Sequence, residues 1–149
     1  SSFIRSWSVV RVHPFPPTNE KKMRAYFLTN MYLSSIQHGI QAGHCLQEIN
    51  NKYYLYPSDE RQILIDWAHE HKTWYVLNGG TSEQMKQLLD LFKWESNPYP
   101  WSYFNEPSID NALTCVGIIV PETVYSKEHQ FGSFDFELST VLKSKRFAK

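Results

Sequence analysis

Short apolar runs alternate with amphipathic stretches along the chain. Residues 25–28 (AYFL) form an apolar run of strand length, led in by Lys21, Lys22 and Arg24 and ended by the turn formers Thr29 and Asn30. Residues 72–77 (KTWYVL) read as a second strand, stopped at Asn78-Gly79-Gly80. Residues 112–120 (ALTCVGIIV), stopped by Pro121, read as a strand buried on both faces. Between the first two strands, Ser34 and Ser35 can cap a helix by accepting backbone N–H groups. In that helix Ile36, Ile40, Cys45 and Ile49 read as one face and Gln37, Gln41, His44 and Glu48 as its neighbour. Ser58, followed by Glu60 and Arg61, opens a second helix with Ile63, Leu64, Trp67 and Ala68 as its apolar side. Thr81 or Ser82 caps a third, striped by Met85, Leu88, Leu89 and Phe92.

The remaining segments are less periodic. Residues 3–12 are a strand-like run broken by the prolines that follow, an added edge strand or an arm over the core. Residues 50–59 read as a loop with packed tyrosines. In residues 94–107 (WESNPYPWSYFNEP) the prolines hold the backbone extended, and Trp101, Tyr103 and Phe104 interleave with polar groups. This predicts an edge strand or a rim loop, its rings either stacking on bases or packed on a helix. Residues 124–136 fit no single element. Residues 135–147 read as a short helix followed by a basic tail containing Lys143, Lys145, Arg146 and Lys149. The expected architecture is one α/β domain spanning 1–149, with an arm (1–22), a core (23–122) and a C-terminal extension (123–149).

Composition narrows the function classes. With 42% hydrophobic and 20% charged residues, the chain is globular and not disordered. Fifteen basic residues balance fifteen acidic ones, where proteins that grip a long phosphate backbone usually carry a basic excess. A small or mostly uncharged ligand is therefore expected in place of extended nucleic acid. Cys45 and Cys115 are the only cysteines, which fits a reducing compartment. No apolar run reaches membrane-span length and no signal peptide is visible, so the expected setting is cytoplasmic, without a membrane partner.

Candidate chemistry gathers at the end of the first strand, where ligands sit in open α/β sheets. Gln41 and His44 lie there, one helical turn apart, and either cap the core or face a ligand. His69-Glu70-His71 places two histidines at i and i+2, on different faces of a helix, whereas a zinc helix needs i, i+4 spacing. No metal and no cofactor are implied. Gly79-Gly80 fits a tight strand-to-helix turn as well as a phosphate cradle.

The order of elements resembles the type II peptidyl-tRNA hydrolase family over roughly residues 24–122. Leu28-Thr29-Asn30-Met31-Tyr32-Leu33 is similar to its Arg-Thr-Asp-Leu-x-Met turn. Gln41-Ala42-Gly43-His44-Cys45 is similar to its Gln-x-x-His-Ala helix, and residues 112–121 to its apolar strand ending in Pro. The resemblance implies a compact mixed sheet with helices on both faces. At three places the chain departs from the family. Ile36-Gln37 stand where the family has a Lys, Asn30 stands where it has an Asp, and residues 102–107 (SYFNEP) replace its Asp-Ala-Gly-x-Thr-Gln segment. The resemblance then implies a rebuilt hydrolase site, with Glu106 or His44 as general base and Gln37 or Asn30 as orienting or oxyanion donor. Gln41, His38, Trp101, Tyr103 and Thr114 would bind the ligand, a nucleotide or an RNA-derived small molecule. Divergent small members of such families are often phage-borne, which extends the expectation to a host cyclic-nucleotide signal and counter-defence. The alternatives are a nucleotide-sequestering protein without catalysis, or a protein-interaction module. A homodimer is compatible with each.

Overall fold

A computed structural model describes residues 22–149, so the expected arm at 3–12 lies outside the described residues. Four strands, β1 (Met23–Asn30), β2 (Thr73–Gly80), β3 (Trp101–Glu106) and β4 (Ala112–Pro121), form one mixed sheet in the order β2-β1-β4-β3. β1 pairs parallel with β2 and antiparallel with β4, which in turn pairs antiparallel with β3. The two central strands are the two with near-continuous apolar sequence, as strands covered on both faces must be. Parallel pairing of β1 with β2 requires a long crossover. It is supplied by α1 (Ser35–Tyr53) and α2 (Asp59–Asp66), the latter continued by a π-helical turn at Trp67–His71. α3 (Ser82–Phe92) follows β2, a short α4 (Thr123–Ser126) follows β4, and α5 (Phe134–Ser144) closes the chain.

Helices cover both faces. On one face, Ala42, Cys45 and Ile49 of α1 and Leu64 of α2 pack with Trp67 against Ala25, Phe27, Cys115 and Ile119. On the other, Met85, Leu88 and Phe92 of α3 and Leu138 and Leu142 of α5 pack against Tyr26, Leu28, Val116 and Ile118. Gly117 sets how closely α1 approaches: a Cβ there would stand 2.8 Å from both Cys45 Sγ and Phe27 Cδ1. Cys45 and Cys115 are buried free thiols, and burial pushes the Cys115 thiol well above its ordinary range.

Ser58 caps α2 by accepting the Arg61 N–H at 3.0 Å. Thr81 and Gln84 form a capping box on α3. Ser34 occupies the N-cap position of α1, but its side chain makes no cap bond. Ile36 and Ile40 are exposed and do not share the face of Cys45 and Ile49. At about 3.6 residues per turn, Ile36 and Cys45 stand half a turn apart, so one face cannot hold both. The buried sector is His38, Gln41, Ala42, Cys45 and Ile49.

Further corrections follow from lengths and edges. α1 runs on through Tyr53, and Tyr54, Leu55 and Tyr56 beyond it are exposed where packed tyrosines were expected. Ala68 is exposed as well, and Leu91 joins the buried stripe of α3 while Leu89 is half-buried. β2 continues through Gly79 to Gly80, whose φ of 101° suits glycine. Residues 94–107 contain an edge strand, β3, one of the two outcomes expected. The basic tail folds back on β2: the Asn78 N–H donates to the Arg146 carbonyl at 2.7 Å, and the Ala148 N–H to that of Val76 at 3.0 Å. That covers a sheet edge which would otherwise present unpaired backbone groups.

Candidate functional site

A β-bulge in β4 builds the site. Phe104 pairs with Cys115 and Asn105 with Leu113, leaving Thr114 as an extra residue. Strict alternation would aim Thr114 and Cys115 at opposite faces; a bulge re-aims one side chain. Both therefore serve the α1 face: Cys115 joins its core and Thr114 reaches Gln41. The Thr114 hydroxyl donates to Gln41 Oε1 at 2.7 Å, with the Phe104 carbonyl 3.3 Å away as a weaker acceptor. With its oxygen so occupied, the Gln41 amide nitrogen donates to Gln37 Oε1 at 3.2 Å and to Glu106 Oε1 at 3.1 Å. Both partners are acceptors, so this orientation of the buried Gln41 amide is the one that satisfies it. Helix spacing explains the contact with Gln37, four residues earlier. Strand alternation explains Glu106, which shares a face of β3 with Ser102 and Phe104.

A second polar pair lies one turn up the helix. Thr29, the last α1-facing residue of β1, is 2.6 Å from His38 Nδ1 and 3.2 Å from the Leu77 carbonyl. When the hydroxyl proton goes to Leu77, Nδ1 must carry the ring proton, leaving Nε2 as a lone pair. Burial lowers the His38 pKa, favouring the neutral ring. Asn30 ends β1: its Oδ1 accepts the Tyr32 N–H at 3.0 Å and its Nδ2 donates to Ser82 Oγ at 3.3 Å. These bonds make a tight turn that delivers the start of α1 to the end of β1. The first intrahelical bond there is from the His38 N–H to the Ser34 carbonyl. The N–H groups of Ser35, Ile36 and Gln37 thus have no acceptor within the helix, and its first turn holds no acidic residue.

The structure thus joins Gln37, Gln41, Glu106 and Thr114, and sets His38 and Asn30 on the two elements beside them. His44 was expected to reach Asn30 or Gln41; its exposed ring instead stacks on Phe104, with centroids 4.6 Å apart and planes at 17°. Trp101 and Tyr103 do not join Glu106, because alternation puts them on the opposite face of β3. There Trp101 meets the edge of Phe92, carries Lys52 Nζ 4.0 Å above its ring and stacks on Tyr103 at 6.3 Å. His71 Nδ1 accepts the Met23 N–H at 3.1 Å, a structural bond. Among the described residues no group of three or more His, Cys, Asp or Glu is gathered as a metal would need. Thr29 and Phe104 were not singled out as site residues. Thr29 was readable as the polar end of an apolar strand, but the pairing of Phe104 with His44 depends on register that no local pattern reveals.

The class these observations define is a mixed-sheet α/β protein, with helices on both faces and a satisfied polar network at the C-terminal end of its central parallel strand. No helix among the described residues is long and apolar enough to cross a membrane. No protein-family model matches the chain, and no curated protein matches it in sequence.

Proposed function

We propose that this chain is a divergent hydrolase of the type II peptidyl-tRNA hydrolase kind, cleaving an ester or phosphodiester in a nucleotide or RNA-derived small ligand. The observation that carries the reading is Glu106, whose Oε1 is held by the buried Gln41 amide while Oε2 has no protein hydrogen bond among the described residues. A general base needs both a fixed position and an oxygen open to water. In the proposed step Glu106 Oε2 takes a proton from water as the water oxygen bonds to the carbonyl carbon or the phosphorus. The bond to the leaving oxygen then breaks, and that oxygen receives the proton. The N–H groups at the start of α1 that have no acceptor within the helix supply donors for the charge that develops, the role the resemblance gave to Gln37 or Asn30 side chains. The stacked His44–Phe104 pair offers the ring platform beside Glu106, in place of Trp101 and Tyr103. His44 is thus a binding surface and Glu106 the base.

Incubation with a panel of cyclic and linear nucleotides and aminoacylated oligonucleotides, followed by mass analysis, tests the reading. Cleavage of at least one ester or phosphodiester is the expected result. Tight binding with no product would make the chain a sequestering protein, and neither binding nor cleavage would leave the interaction-module reading in its place.

A further inference from the structure

On the opposite face of the sheet from Glu106, a cavity of about 430 Å³ lies between β1, β2, α5 and the returning tail. That volume is within the range of about 300–1,000 Å³ usual for small-molecule sites. Its walls are of two kinds. Tyr26, Tyr75 and Phe147 form an aromatic row, with Tyr26 stacked on Tyr75 at 5.2 Å and Tyr75 on Phe147 at 6.0 Å, both at 18°. The row runs from the buried Tyr26 to Phe147, which is 61% exposed, so it ends in an open ring face. Arg24, Lys145 and Arg146 bring three cations to the same cavity, and among the described residues no carboxylate lines it.

These cations are only partly committed elsewhere. Arg24 pairs with Glu122, which lines a neighbouring hollow, at 3.4 Å and lies over the Tyr75 ring, 5.3 Å from its centroid. Lys145 donates to the Gly79 carbonyl at 3.2 Å, which anchors its ammonium toward the end of β2 away from Arg24 while leaving two of its donors. Arg146 is exposed, and its backbone alone is engaged in pairing with β2. Guanidinium and ammonium groups lining one cavity with stacked rings are the chemistry that holds a flat ring carrying a phosphate. We infer that this cavity binds a planar aromatic anion of the size of one nucleoside monophosphate. The site is separate from that of Glu106 and does not depend on the proposed hydrolysis.

Titration calorimetry with AMP, adenosine and ribose 5-phosphate tests it. AMP is expected to bind, and the two fragments roughly tenfold or more weakly, since each lacks one half of the recognition. Phe147→Ala should weaken AMP by about 5- to 150-fold, the range expected for losing one stacked ring. Arg146→Glu should weaken it further as salt is lowered, because a repulsive contact is less screened there. Both side chains are exposed, so circular dichroism and thermal midpoint should match the wild type. His44→Ala, which removes the exposed ring platform beside Glu106, should leave AMP binding intact, which separates this site from the hydrolytic one. Absence of AMP binding at millimolar concentration would overturn the inference. So would equal affinity for inorganic phosphate, affinity unchanged in both tail variants, or a 5′-phosphorylated trinucleotide binding tenfold more tightly than AMP.

Discussion

The two halves of α1 lie against the same face of the same sheet and bury opposite chemistry. From Ala42 on, the helix presents Ala42, Cys45 and Ile49 to Phe27, Cys115 and Ile119. Before that point it buries His38 and Gln41, both under 6% exposed. Apolar burial contributes about 25 cal/mol per Å², whereas a satisfied buried hydrogen bond adds only about 0.5–1.5 kcal/mol net. The polar half is nonetheless complete: no buried side-chain nitrogen or oxygen among the described residues lacks a partner. The apolar half therefore holds the fold, while the polar half fixes the positions of side chains that an aliphatic pair would pack more cheaply. Sites that trade stability for position have this character.

If that division is right, substitutions in the two halves should move different quantities. The largest stability loss is expected at Ile49→Ala, about 2–5 kcal/mol in urea denaturation, with the activity of the folded fraction unchanged. Gly117→Ala forces a methyl group against Cys45 and Phe27 and should cost about 1–3 kcal/mol, read as a lower urea midpoint. Gln41→Leu should stay within about 1.5 kcal/mol of wild type, since Thr114 can turn to the Phe104 carbonyl, yet turnover should fall because Glu106 loses its anchor. A Gln41→Leu protein as active as wild type would erase the distinction between the halves.

The smallest effect is a slope. Burial lowers the His38 pKa, so the folded chain holds this proton less readily than the unfolded chain does. The stability that His38 contributes is therefore complete above its ordinary value near pH 6.5 and is lost as the pH falls below it. Thermal midpoints measured from pH 7.5 down to 5 should decline less steeply in His38→Gln than in wild type.

What could be read from sequence followed how local each signal was. β1, β2 and β4 showed as apolar runs with turn-forming ends, although β2 lies at the sheet edge with Thr73 and Trp74 exposed and is not a buried strand, and Ser58 and Thr81 marked helix starts by chemistry confined to one turn. The face of α1 did not follow from its isoleucines, because Ile36 and Ile40 begin the helix on the side turned away from the sheet. Glu106, Gln41 and Thr114 could be nominated singly. Their meeting depends on a bulge at Thr114, set by pairing between β3 and β4. Such a one-residue shift leaves no trace in period-2 alternation and flips a side chain to the other face. The same alternation separates Trp101 and Tyr103 from Glu106, which proximity along the chain had joined.

Glu106, held by Gln41, is proposed as the base of a hydrolase. Single-turnover cleavage of the best substrate from the nucleotide panel, compared between wild type and Glu106→Gln with binding measured in parallel, tests it most directly. Glu106→Gln is expected to bind that substrate with unchanged affinity and to cleave it about 10²- to 10⁴-fold more slowly, the contribution of a positioned general base. Cleavage by Glu106→Gln at the wild-type rate would contradict it.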